Sequence, residues 1–184
     1  FASLWNKMAL RLGIKTEFLE TDWRRGVVPE KLFDRLQKDT KNQIKAVCVV
    51  HNETSTGCAS RIEEVSKALN SANHDALLMV DTISGLASME YKHDEWGVDI
   101  TVSGSQKGLM LPPGLSFNAI SDKALRVAKT SGMRRSYWDW EEQIEANKSS
   151  SFPYTPATNL LYGLREAINM LHEEGLDNVF KRHE

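Results

Sequence analysis

Apolar positions along the chain fall into helical and alternating rhythms that follow one another. Leu4, Met8 and Leu12 recur at helical spacing beside Trp5 and Ala9, and Gly13 follows where a left-handed residue ends a helix. Ile14 to Glu20 alternates and predicts a strand. Pro29 suits the first turn of a helix that gathers Leu32, Phe33 and Leu36 on one face. The run from Ile44 to Val50 is β-branched and almost wholly apolar, which predicts a strand covered on both faces. Ser60 and Glu63 have the spacing of a capping box for a helix carrying Ile62, Val65, Leu69 and Ala72. Ala76 to Val80 and Val98 to Val102 read as two further strands. Leu115 to Ile120 follows too soon for a crossover helix and is expected to run antiparallel. Thr155 and Pro156 supply a cap and a first-turn proline for a long helix through Leu160, Leu161, Leu164, Ile168 and Leu171, ending near Gly175. Residues 131 to 154 between them look irregular. Strand, helix, strand in this order predicts an α/β fold with a mostly parallel sheet and right-handed crossovers.

Composition narrows the function classes. The 184 residues carry 23 Lys and Arg against 25 Asp and Glu, a formal charge of −2, which argues against nucleic-acid binding by bulk electrostatics. No apolar run approaches the ~18 residues of a membrane span, and no signal segment opens the chain, so a reducing, cytoplasmic setting is expected. Cys48 reads as a small core residue and Cys58 is given no role. His51 and the group His93, Asp94 and Glu95 lack metal-ligand spacing and are expected to be solvated loop residues, with no metal bound. Arg134 and Arg135 with Tyr137, Trp138 and Trp140 suggest a basic aromatic patch, but Asp139, Glu141 and Glu142 cancel it, and a lid or subunit-interface segment fits better. No glycine-rich phosphate motif opens a helix, which counts against a nucleotide-binding module. The first residue is Phe1, and the last ten begin an amphipathic pattern without a cap, so the chain is expected to be part of something longer.

Ligands of open α/β sheets sit beyond the carboxyl ends of the strands. Three polar loops leave such ends here: His51 to Gly57, Asp81 to Gly85, and Ser103 to Gly108. A strand-end carboxylate, Asp81, and a loop lysine, Lys107, are the pair that pyridoxal phosphate requires: an amine for a Schiff base and an anion that keeps the ring nitrogen protonated. The amine has to spend time neutral in order to attack. On these residues alone, a turn-capping aspartate and an ordinary Ser-Gly-Ser loop account for the pattern as well.

The segments Val50-His51-Asn52-Glu53-Thr54-Ser55-Thr56-Gly57, Leu78-Met79-Val80-Asp81, Ser103-Gly104-Ser105-Gln106-Lys107-Gly108 with Pro112-Pro113-Gly114, and Pro153-Tyr154-Thr155-Pro156 before Leu161-Tyr162-Gly163-Leu164-Arg165 resemble class V aminotransferases of the pyridoxal-phosphate fold type I superfamily. The serine–glyoxylate and alanine–glyoxylate branch is the nearest. The resemblance implies a three-layer large domain with helices on both sheet faces, of which residues 1–184 are the central part, the amino-terminal segment and the carboxyl-terminal small domain lying outside them. It implies that Lys107 carries the Schiff base and the proton moved between substrate Cα and cofactor C4′, and that Asp81 pairs with the ring nitrogen. Thr54 matches a residue near the phenolic oxygen, Ile83 one packed on the ring face, and Gln106 one reaching the phosphate. Thr155 matches a phosphate contact made across a homodimer. Where some relatives have a cross-subunit tyrosine this chain has Phe152, so that hydroxyl is lost or moved to Tyr154. The activity implied is transfer of an amino group from serine or alanine to a 2-oxo acid such as glyoxylate. Cysteine desulfuration or kynurenine hydrolysis is the alternative within the family, and a catalytically inert piece is another, since the stacking aromatic and the arginine that grips the substrate carboxylate fall outside these residues.

Overall fold

A computed structural model describes residues 1–184. Seven helices and six strands follow in the order α1 (Ala2–Arg11), α2 (Pro29–Gln37), β1 (Ala46–Val50), β2 (Asn52–Glu53), β3 (Cys58–Ala59), α3 (Ile62–Ser71), β4 (Leu77–Asp81), β5 (Ile100–Gly104), β6 (Ser116–Ile120), α4 (Asp122–Lys129), α5 (Trp140–Lys148), α6 (Thr158–Glu174) and α7 (Leu176–Lys181). The main sheet has the order β1-β4-β5-β6, with β1, β4 and β5 parallel and β6 antiparallel to β5. A short antiparallel hairpin, β2 with β3, stands apart.

Alternation along the strands sends Val49, Leu78 and Val80 to one face, where Leu32 and Leu36 of α2 and Ile62, Val65 and Leu69 of α3 bury them. Leu77 and Ile100 face the other way and meet Ala124 of α4, with Trp140 alongside. Leu109 and Leu111, beyond β5, pack with Ala167 and Leu171 of α6 and Val179 of α7. The last cluster seats α6 and α7 against the loop that carries Lys107.

Several expectations are corrected by what each segment has to pack against. Residues 14–20 form no strand, because none of their backbone groups pairs with a neighbouring strand. Ser60 does not cap α3; its Oγ accepts the Val27 N–H at 3.2 Å instead, and Arg61 takes the cap position. The long helix starts at Thr158 rather than at Pro156, with Ala157 at its cap, so Thr155 lies outside it. Its end at Gly175, with φ of 82°, is as expected. Residues 131–154 are not wholly irregular: Asp139 Oδ1 accepts the Glu141 N–H at 2.9 Å and starts α5. Cys48 is exposed rather than in the core, on β1 at the edge of the sheet.

Candidate functional site at the strand ends

Register places the candidate groups side by side. Val50 pairs with Asp81 and Asp81 with Val102, so the carboxyl ends of β1, β4 and β5 form one row from which three loops depart. The loops are stapled to one another. Thr82 is fully buried, its N–H and Oγ1 both donate to the Val102 carbonyl at 2.8 and 3.1 Å, and Ser103 Oγ donates to the Thr82 carbonyl at 3.4 Å. Ser105, also fully buried, closes the loop after β5: its Oγ donates to the Pro112 carbonyl at 2.8 Å and accepts the Leu115 N–H at 3.2 Å. Within that closed loop the Met110 N–H donates to the Lys107 carbonyl at 2.8 Å, with Met110 in the left-handed region at φ 59°. Lys107 therefore sits on a turn fixed at its base. Gly108 lets that turn lie on the loop after β4, since a Cβ there would fall 2.3 Å from the Leu86 carbonyl oxygen.

Asp81 is half-buried at the end of β4, and only its Oδ1 is engaged, accepting the Ile83 N–H at 2.9 Å. Burial raises its carboxyl above the usual range, and the Ile83 hydrogen bond opposes that rise in part. Lys107 is exposed and its amine makes no hydrogen bond or ion pair. Ile83 and Gln106 meet at Gly104: a Cβ on that glycine would lie 2.8 Å from Gln106 Oε1 and 3.2 Å from Ile83 Cδ1. Thr54, exposed on the hairpin loop, donates its hydroxyl to Ser84 Oγ at 3.1 Å and is thereby tied to the loop that carries Asp81 and Ile83. Five of the six expected residues thus lie on three loops, the first and third each bonded to the one after β4. Thr155 stands apart from them, exposed ahead of α6 and hydrogen-bonded to none.

Two features escaped the sequence reading. His51 is not solvated: it is 4% exposed, packed on Tyr91 at 5.3 Å between ring centroids, and burial lowers its pKa. Its Nδ1 has no partner and faces Gly85, where a Cβ would come within 2.6 Å. His93 is likewise held, with Nδ1 2.7 Å from Thr101 Oγ1. Ser84 is the second feature, joined to both Asn52 and Thr54. The only signal for it in the sequence was its place in a polar run directly after a buried strand.

A half-buried carboxylate with one free oxygen, an unpaired amine on a pinned turn, and an aliphatic side chain against a glycine lacking the Cβ that would fill the gap are of the kind and charge that pyridoxal phosphate requires. Comparison with known proteins agrees. The family described as Aminotransferase class-V matches residues 2–184. The chain is 50% identical to a serine–glyoxylate aminotransferase of Methylorubrum extorquens and 51% identical to one of Hyphomicrobium methylovorum, each match covering all of this chain and 47% and 46% of the relative. The crystal structure of an alanine–glyoxylate aminotransferase from Nostoc sp. superposes with a TM-score of 0.85 at 30% identity, covering 96% of this chain and 46% of that one. The chain spans about half the length of the curated relatives it matches. On the strength of its strand-end loops and a match that runs along almost all of its length, the chain belongs to the class-V aminotransferase family.

Proposed function

We propose that these 184 residues are the central part of the cofactor-binding large domain of a pyridoxal-phosphate aminotransferase that moves an amino group from serine or alanine to glyoxylate. The observation that carries the reading is the convergence of Asp81, Ile83, Gln106 and Lys107 on bonded loops at neighbouring strand ends. The names of the relatives support glyoxylate as acceptor and serine or alanine as donor.

When bound, pyridoxal phosphate supplies an aldehyde for amine capture and a ring that accepts negative charge from the substrate Cα. Lys107 Nζ is the amine that holds the cofactor at rest. The same amine would serve as the base that takes a proton from the substrate Cα and returns one at cofactor C4′, and the Met110 N–H bond to the Lys107 carbonyl fixes the turn from which it would act. Asp81 would hold a proton on the ring nitrogen, and its half-buried setting would strengthen that charge pair. Ile83 would pack against one ring face and exclude water there. Gln106 would reach the phosphate, and Thr54 would lie by the phenolic oxygen. Thr155, exposed and hydrogen-bonded to none of these residues, would contact the phosphate from across a two-fold interface, so the reading includes a homodimer. Both cysteines are unpaired, in keeping with a reducing cytoplasmic compartment.

Borohydride reduction of the full-length protein loaded with pyridoxal phosphate, followed by peptide mass mapping, tests the assignment. A pyridoxyl label on Lys107, absent in Lys107→Ala, is expected together with glyoxylate-dependent formation of hydroxypyruvate from serine or pyruvate from alanine. A label on another lysine overturns it.

A further inference from the structure

Ser84 Oγ has three partners. It lies 3.0 Å from the Asn52 carbonyl oxygen, 3.0 Å from Asn52 Nδ2 and 3.1 Å from Thr54 Oγ1. A hydroxyl has one proton and two lone pairs. The carbonyl can only accept, so Ser84 spends its proton there; the amide Nδ2 can only donate, so it fills one lone pair. The remaining lone pair requires Thr54 to be the donor. Thr54 thus has its single proton turned toward Ser84 and keeps only lone pairs for any further partner.

We infer that Ser84 is a positioning residue that fixes the hydrogen-bonding sense of Thr54, making Thr54 an acceptor toward the phenolic oxygen of the bound cofactor. The inference rests on the pyridoxal-phosphate reading and deepens it. An acceptor beside that oxygen favours its protonated form, whereas a donor would favour the anion. With Ser84 in place, the oxygen therefore keeps a higher proton affinity than a free threonine hydroxyl would give it. Asn52 belongs to the same device, because its carbonyl and amide together set which way the Ser84 proton points.

The test is the pH titration of the visible absorption of the full-length holoenzyme, in wild type, Ser84→Ala, Thr54→Val and the double variant. Ser84→Ala frees the Thr54 proton, and the titration midpoint is expected to move down by about 0.5–1 pH unit. Ser84→Thr, which keeps the hydroxyl, is expected to titrate as wild type. In the Thr54→Val background, Ser84→Ala should shift nothing, because no proton remains to be released. A purely structural role for Ser84 predicts the same shift in both backgrounds, and that result, or an unmoved midpoint in Ser84→Ala, overturns the inference. Peptide mapping of the same holoenzyme separates the two claims: a label on Lys107 with an unmoved midpoint sinks the role of Ser84 alone, while a label elsewhere sinks both.

Discussion

At the scale of single residues, the candidate site is distinguished by groups left unsatisfied or uncomfortable in the free protein. Burial raises the Asp81 carboxyl, so the folded state binds a proton more tightly than the unfolded chain does. Between the ordinary carboxylate value and the raised one, the native state then holds more protons, and stability falls as pH rises through that window. Above it the ionised Asp81 opposes folding, a cost that the proposed pairing with a cationic ring nitrogen would offset. Asp81→Asn is accordingly expected to leave the cofactor-free protein at least as thermally stable as wild type at neutral pH, and to lower kcat of the loaded enzyme by about 10²–10³, the scale of one preorganised electrostatic contact. Calorimetry of the free protein and steady-state kinetics of the loaded one read the two halves. A free protein that loses stability on substitution would show that Asp81 serves the fold instead.

At the scale of elements, what was legible in the sequence was what a segment decides by itself. The apolar runs gave β1, β4 and β5 to within two residues, and the short path through Pro112 and Pro113 gave the antiparallel β6. Because ligands gather at strand ends, locating those strands also located Asp81 and Lys107. Features decided by a distant partner were not legible. Residues 14–20 alternate as a strand does but find no ladder; Ser60 has a capping spacing but is taken by Val27; α5 buries none of its residues and so leaves no periodic stripe. The clip between the end of α2 and the starts of β1 and β4 belongs to the same class. Asp39 Oδ2 accepts the Ile44 N–H at 2.6 Å and lies 3.2 Å from His74 Nε2, while His74 Nδ1 accepts the Ala76 N–H at 3.1 Å. Since Nδ1 is an acceptor, the His74 proton sits on Nε2 and points at Asp39. The Ile44 N–H first, and His74 in addition, hold the Asp39 carboxyl below its ordinary value. A depressed folded value gives stability that is present above the ordinary carboxylate range and lost as pH falls through the lowered one. Asp39→Asn is therefore expected to be less stable than wild type at neutral pH and to converge with it in acid, as read by urea midpoints across pH. Parallel curves would show that the Asp39 charge contributes nothing.

At the scale of the whole molecule, the surface carries many large apolar side chains that no other element covers. Leu4 and Met8 of α1 and Leu12 at its C-cap are 57%, 62% and 61% exposed, and none of that helix is buried. Trp138 is 80% exposed, and β1 leaves Cys48 open on the second face of the sheet. Patches of this kind mark surfaces that pack against other protein, and the relatives, about twice as long, have the additional chain to supply it. The 184-residue chain expressed alone is expected to bind the dye ANS and to sediment heavier than a 20.8 kDa monomer, while the full-length protein binds little dye and sediments as a discrete dimer. Replacing Leu4, Met8 and Leu12 with Gln in the short chain separates the causes. Because α1 buries nothing, the triple variant should keep the wild-type unfolding free energy to within about 0.5 kcal/mol per substitution while losing dye binding and association together. If it unfolds, α1 belongs to the core of this unit; if it still associates, the adhesive surface is another of the exposed apolar groups, such as Trp138 or the sheet edge at Cys48, and α1 is only a neighbour to it.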